Sequence, residues 1–169
     1  GSLGGIHASR SGLVWEWLRI LDEMDEKPKI LLLENVSGLL STNGGNNYRT
    51  LHMALVEREY RCGAIVLNAS YFVPQSRPRV FIIAVQHDCR IPNELVGNGP
   101  CWLHNKAASD LGRSLPDWIW WRTERPPHRQ ECLKDIVEES APFDKDGVLK
   151  LIPTRHKEKL DKHETAYAT

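Results

Sequence analysis

The order of segments predicts an α/β fold: amphipathic stretches alternate with short apolar runs, and the last two runs lie too close together for a crossover helix between them. Three observations carry this reading. "SGLVWEWLRILDEMDEKPK" sets apolar residues at helical spacing, and "KILLLENV" is a continuous apolar run between a proline and a turn-rich stretch. "GAIVLNASYF" and "RVFIIAVQ" then follow one another with only a few residues between. The expected architecture is a sheet with flanking helices and a terminal hairpin, followed by a loop-rich segment.

Taken in order, the first helix puts Leu13, Trp17, Ile20, Leu21 and Met24 on its core stripe, with Ser11 as cap and Pro28 beyond its end. The run "KILLLENV" suits a central parallel strand buried on both faces, with Glu34 and Asn35 at its carboxyl end. "NNYRTLHMALVEREYRCG" reads as a second helix with Tyr48, Leu51, Leu55 and Tyr60 on one stripe, Asn47 in front and Gly63 closing it. Two strands make the hairpin. Past Gln86 the pattern fades into a separate stretch rich in Pro, Gly, Asn and Trp, with short helices expected at "ECLKDIVEES" and "HKEKLDKHE".

Composition narrows the classes. A chain of 169 residues, 41% hydrophobic and 26% charged, is ordinary for a globular domain. Its 22 basic and 22 acidic residues cancel, so any nucleic-acid binding rests on local geometry and not on a global basic field. Cys62, Cys89, Cys101 and Cys132 show neither a CxxC pair nor Cys/His metal spacing, and read as reduced structural thiols of a cytosolic protein that needs no metal. No apolar run approaches the roughly 20 residues that span a bilayer. Gly1-Ser2 reads as the remnant of a cleaved expression tag.

Two features point to chemistry. Glu34 stands at the strand end where open α/β sheets bind ligands, although a carboxylate there also serves to cap a turn or to pair with a surface cation. Gln75, Arg77 and Arg79 alternate, so on a strand they share a face, and two planar arginine forks suit phosphate, carboxylate or a base carbonyl. The plain alternative is a sheet edge protected by charge. Trp118, Trp120 and Trp121 beside Arg122, Arg125 and Arg129 offer stacking on nucleic acid, but the area a tryptophan buries favours a core role.

Joined, "LLLENVSGLL" and, some forty residues later, "LNASYFVPQSRPRVFIIAV" closely resemble the DNA cytosine-5 methyltransferase family. The flanks "RSGLVWEWLRIL", "WIWWRTERPPHRQECLKDIVEE" and "TRHKEKL" are similar too, so the resemblance runs from about Arg10 to Leu160. It implies a partial Rossmann-like methyltransferase sheet: residues 1–9 a tag scar and linker, 10–86 the C-terminal half of the catalytic domain, and 87–169 part of the target-recognition region. It further implies methyl transfer from S-adenosylmethionine to C5 of a cytosine flipped out of double-stranded DNA, within a restriction-modification system of the bacterial cytoplasm and nucleoid. Glu34 would hold N3 and the exocyclic amine of the cytosine, and Asn35 would support the loop closing the pocket. Arg79 would meet the base O2, Arg77 a phosphate or the catalytic loop, and Gln75 would orient the cluster.

The Pro-Cys loop that supplies the family's nucleophile is expected just ahead of "RSGLVWEWLRIL", where "GSLGGIHAS" stands, and the Phe-x-Gly-x-Gly cofactor turn does not occur. Pro100-Cys101 comes after the arginine motif, out of the family's order. The expectation is therefore a middle piece, inactive alone and without cofactor-binding residues of its own, which pairs with a complementary methyltransferase fragment or self-associates through an exposed sheet edge. Competing readings are a non-catalytic DNA-binding or regulatory relative and a methyltransferase acting on tRNA cytosine.

Overall fold

The computed structural model describes residues 12–127. Residues 12–68 and 78–126 lie in one compact unit, and Ala69–Arg77 belongs to another. The elements are α1 (Gly12–Glu23), β1 (Ile30–Val36), α2 (Asn46–Val56), β2 (Tyr60–Asn68), β3 (Pro78–Gln86) and α3 (Lys106–Ser114). Ser11, Cys132 and the two helices expected beyond residue 128 lie outside the described residues.

The sheet has the order β1-β3-β2, and β3 runs antiparallel to both neighbours. The predicted hairpin is β2-β3, running from Tyr60 opposite Gln86 to Asn68 opposite Pro78. The central strand, however, is β3 and not β1. After the hairpin turn, β3 enters the slot beside β1, which becomes the edge among the described residues and leaves Ile30 63% and Leu32 66% exposed. An unbroken apolar run does not encode which strands flank it, so the expectation of a parallel strand covered on both faces does not hold.

One face of the sheet, with Leu31, Tyr60, Cys62, Ala64, Val80, Ile82 and Ala84, packs with residues of all three helices into the main core. On α1 the predicted Leu21 is buried beside Leu18 and the predicted Trp17 packs against the core, while Leu13 and Ile20, and Met24 just past the helix end, are exposed. The buried stripe is thus turned from the predicted one by less than one residue, since neighbouring helical positions differ by roughly 100°. On α2 the predicted Tyr48, Leu51 and Leu55 are buried as expected. The helix ends at Val56, however, so Tyr60 and Gly63 belong to β2, and the N-cap is Gly45 in a left-handed conformation, not Asn47.

The opposite face carries a second cluster of Ile65, Val85, Leu103, Ile119 and Trp121. Residues 101–121 thus pack on the sheet rather than trailing from it. Helix α3 went unpredicted, although its signal was present: Asn105 caps it by accepting a hydrogen bond from the Ala108 amide at 2.9 Å. The surrounding Pro, Gly and Trp masked that cap. Beyond α3, the Cys62 amide donates to the Asp117 carbonyl (3.1 Å) and the Ile119 amide to the Cys62 carbonyl (3.0 Å), which closes part of the outer edge of β2.

His52 ties these layers together. It is fully buried; its Nε2–H donates to the Pro116 carbonyl at 2.6 Å, and the Cys62 thiol donates to Nδ1 at 3.1 Å. Its ring stacks on Trp118 at 5.7 Å. Burial holds the His52 pKa below its ordinary value, against the opposing pull of the Pro116 carbonyl and Asp117, and burial lowers that of His104 as well. The unfolded chain therefore binds protons that the fold resists. Stability should be full above about pH 6.5 and fall below it until the folded-state pKa values are passed, by up to ~1.4 kcal/mol per pH unit for each histidine. Urea unfolding at pH 7 and pH 5.5 should show this loss, and His52→Asn should be less stable at pH 7 yet flatter with pH. Equal slopes in wild type and variant would contradict the assignment.

Candidate functional site

Glu34 and Arg79 meet across the β1-β3 ladder. Glu34 stands opposite Phe81 and Arg79 opposite Val36, so the two charged residues are diagonal neighbours on one face. Arg79 Nε lies 3.1 Å from Glu34 Oε1, with the arginine side chain 22% and the glutamate side chain 53% exposed. The guanidinium also donates to the Pro78 carbonyl at 2.9 Å. A carboxylate able to take or share a proton and a planar fork of donors are thus held side by side on an accessible part of the sheet.

The other predicted residues are not all brought to this face. Because β3 begins at Pro78, only Arg79 of the three alternating residues lies on a strand, and the period-two argument does not reach Gln75 or Arg77. Both lie in Ala69–Arg77, a loop closed on itself: the Phe72 and Val73 amides donate to the Ala69 carbonyl (2.8 and 2.9 Å) and the Ala69 amide to the Arg77 carbonyl (3.2 Å). Asn35 points to the face opposite Glu34, and its Oδ1 accepts the Val36 amide at 2.8 Å.

Cys62 and Cys101 read as structural. Cys62 is buried beside His52, and burial pushes its thiol up to about 12, too high for a thiolate nucleophile near neutral pH. The Cys101 amide donates to His104 Nδ1 at 3.1 Å and its thiol to the Trp121 carbonyl at 3.5 Å, which fixes a turn. Trp118 packs against the main core and Trp121 sits in the second cluster, in line with the core role expected of them; Arg129 lies outside the described residues. Among the described residues no three metal-ligating side chains gather, and no helix is long and apolar enough to cross a membrane.

A cleft of about 750 Å³ lies on the same face of the sheet as Glu34 but at its other end, lined by Ile30, Ile83, Val85, Leu103, Trp121 and Arg122 among others. Neither Glu34 nor Arg79 borders it. The ion pair is the better candidate of the two, because its groups are polar and charged while this cleft is lined mainly by apolar side chains.

With this geometry in place, the comparisons with known proteins identify the class. A family model described as C-5 cytosine-specific DNA methylase matches residues 1–167, and the chain belongs to that family. It is 35% identical over 94 residues to the type II methyltransferase M.HhaI of Haemophilus parahaemolyticus, covering 55% of this chain and 28% of that protein. It is 29% identical over 162 residues to the orphan methyltransferase M.SPBetaI of Bacillus phage SPbeta, covering 92% of this chain and 36% of the relative. The chain thus spans about a third of the length of these curated relatives. A solved structure of the Dnmt2 methyltransferase from S. pombe aligns with a TM-score of 0.41 and 23% identity, over 53% of this chain and 27% of that one.

Proposed function

We propose that this chain forms part of a DNA cytosine-5 methyltransferase and supplies one wall of the pocket for a cytosine flipped out of double-stranded DNA. The observation that carries this is the Glu34–Arg79 pair at 3.1 Å beside the end of β1. Glu34 accepts from the exocyclic amine and shares a proton with N3, which lets the ring take up negative charge when a nucleophile adds at C6. Arg79 donates to O2 and stabilises that charge. Asn35 supports the loop after β1, and Arg77 and Gln75 act on the DNA backbone or the catalytic loop. The nucleophile comes from a Pro-Cys loop other than Pro100-Cys101, whose thiol serves the turn described above.

S-Adenosylmethionine is the methyl donor that this chemistry uses. Its cradle comes, in this reading, from the complementary part of the enzyme. The open edge of β1, with Ile30, Leu32 and Val36 exposed, favours pairing with a further strand from the complementary part of the enzyme.

Tritiated methyl transfer to DNA, measured on the full reading frame that encodes this chain, tests the proposal. Wild type should form 5-methylcytosine. Arg79→Ala should weaken DNA binding roughly 10- to 100-fold as well as slow the reaction, because a charged hydrogen bond worth about 1.5–3 kcal/mol is lost. A wild type that binds DNA without forming product would favour the non-catalytic alternative. Product formed in tRNA but not in DNA would move the substrate to RNA.

A further inference from the structure

We infer that Phe81 is the positioning residue of the Glu34–Arg79 pair. This deepens the methyltransferase reading, on which it rests only for what the pair does chemically. Phe81 stands directly opposite Glu34 on β1 and two residues from Arg79 on the same face of β3. Side chains so placed in an antiparallel pair have their Cβ atoms roughly 4.5–5.5 Å apart. Across its other side, Phe81 faces Ile65 of β2 and packs against the cluster that holds Leu103 and Trp121. The ring is thus anchored on one side and borders the ion pair on the other.

The pair needs such a wall. Glutamate and arginine are long and flexible, and at a partly exposed site the attraction between them is comparable to or smaller than the entropy lost in ordering both. The residues of β1 beside Glu34 on this face do not supply the restraint, since Leu32 is 66% and Val36 55% exposed. A flat ring with two torsions, fixed by the cluster behind it, limits the rotamers open to both partners and keeps water from one side of their contact.

Nitrogen-15 NMR of the full 169-residue chain reads this through the Arg79 Nε–H, which donates toward Glu34 and should exchange slowly with solvent. Phe81→Tyr keeps the ring and should keep the protection. Phe81→Ala should lose it, with exchange faster by roughly tenfold or more and approaching that of Glu34→Gln. Ile83→Ala removes apolar volume two residues away on the same face and should leave the Arg79 signal unchanged, which separates positioning from loss of stability. Should Phe81→Ala not fold, Phe81→Leu carries the test and should lose a clear part of the protection that Phe81→Tyr retains. A slowly exchanging Arg79 Nε–H in folded Phe81→Ala or Phe81→Leu, or an equal loss in Ile83→Ala, overturns the inference. Neither DNA nor methyl donor enters these measurements, so failure of the methyltransferase reading leaves them untouched, and their failure leaves the methyl-transfer test standing.

Discussion

Glu34→Gln is expected to slow methyl transfer by the complete enzyme roughly 10²–10⁴-fold, or about 3–5 kcal/mol of transition-state stabilisation, while changing DNA binding little. Glutamine keeps the size of the side chain and one carbonyl oxygen that can still accept from the exocyclic amine. What it cannot do is share a proton with N3, and that proton matters only as the ring gains charge. The loss should therefore fall on the chemical step. The 3.1 Å contact with Arg79 sharpens the expectation, since the amide gives up the charge that the guanidinium faces. Single-turnover methylation and DNA binding, measured side by side, separate the two effects. An unchanged chemical rate would remove Glu34 from the mechanism, whereas a collapse in binding with a normal rate would make it a positioning group.

Gly63→Ala should destabilise the fold by about 3 kcal/mol or more, read as a lower urea midpoint with little change in slope. A Cβ at this position would lie 2.0 Å from the Ile119 carbonyl oxygen and 3.1 Å from Trp121. The nearest atom is backbone, so no rotamer change relieves the clash. The segment at 117–119 would have to lift from β2, breaking the bonds of the Cys62 amide to Asp117 and of the Ile119 amide to Cys62, each worth roughly 1 kcal/mol. It would also draw Trp121 from the second cluster and from its hydrogen bond to the Ile83 carbonyl at 3.3 Å. A loss under about 0.5 kcal/mol, the level of an ordinary surface substitution, would show that this strap does not close the sheet as described.

The alternation of elements and the family motifs were legible because both are local or nearly so. Helical spacing identified α2 by Tyr48, Leu51 and Leu55, and the apolar runs located all three strands. The "ENV" and "QSRPR" stretches led to Glu34 and Arg79, which the sheet does bring together. Less was legible where meaning depends on a boundary. One residue decides whether Arg77 lies on β3, and the strand begins just past it, at Pro78. Helix α3 was hidden in a composition that resembles loop, and the α1 stripe was right for Trp17 and Leu21 but not for Leu13 and Ile20, because apolar residues fall on more than one side of that helix.

Period, capping and motif are properties of neighbouring residues, and they were enough to reach the α/β character, the hairpin and the two charged residues that pair across the sheet. Which strand stands in the middle was settled only by packing, because antiparallel β3 had to find both partners and an apolar run suits an edge as readily as a centre when one face is covered. The same holds for Phe81, ordinary as a letter in an apolar run, which gains its importance from lying opposite Glu34 across a ladder that joins segments distant in the chain. Register couples distant segments through hydrogen bonds and shared burial, and no window of adjacent residues contains that information.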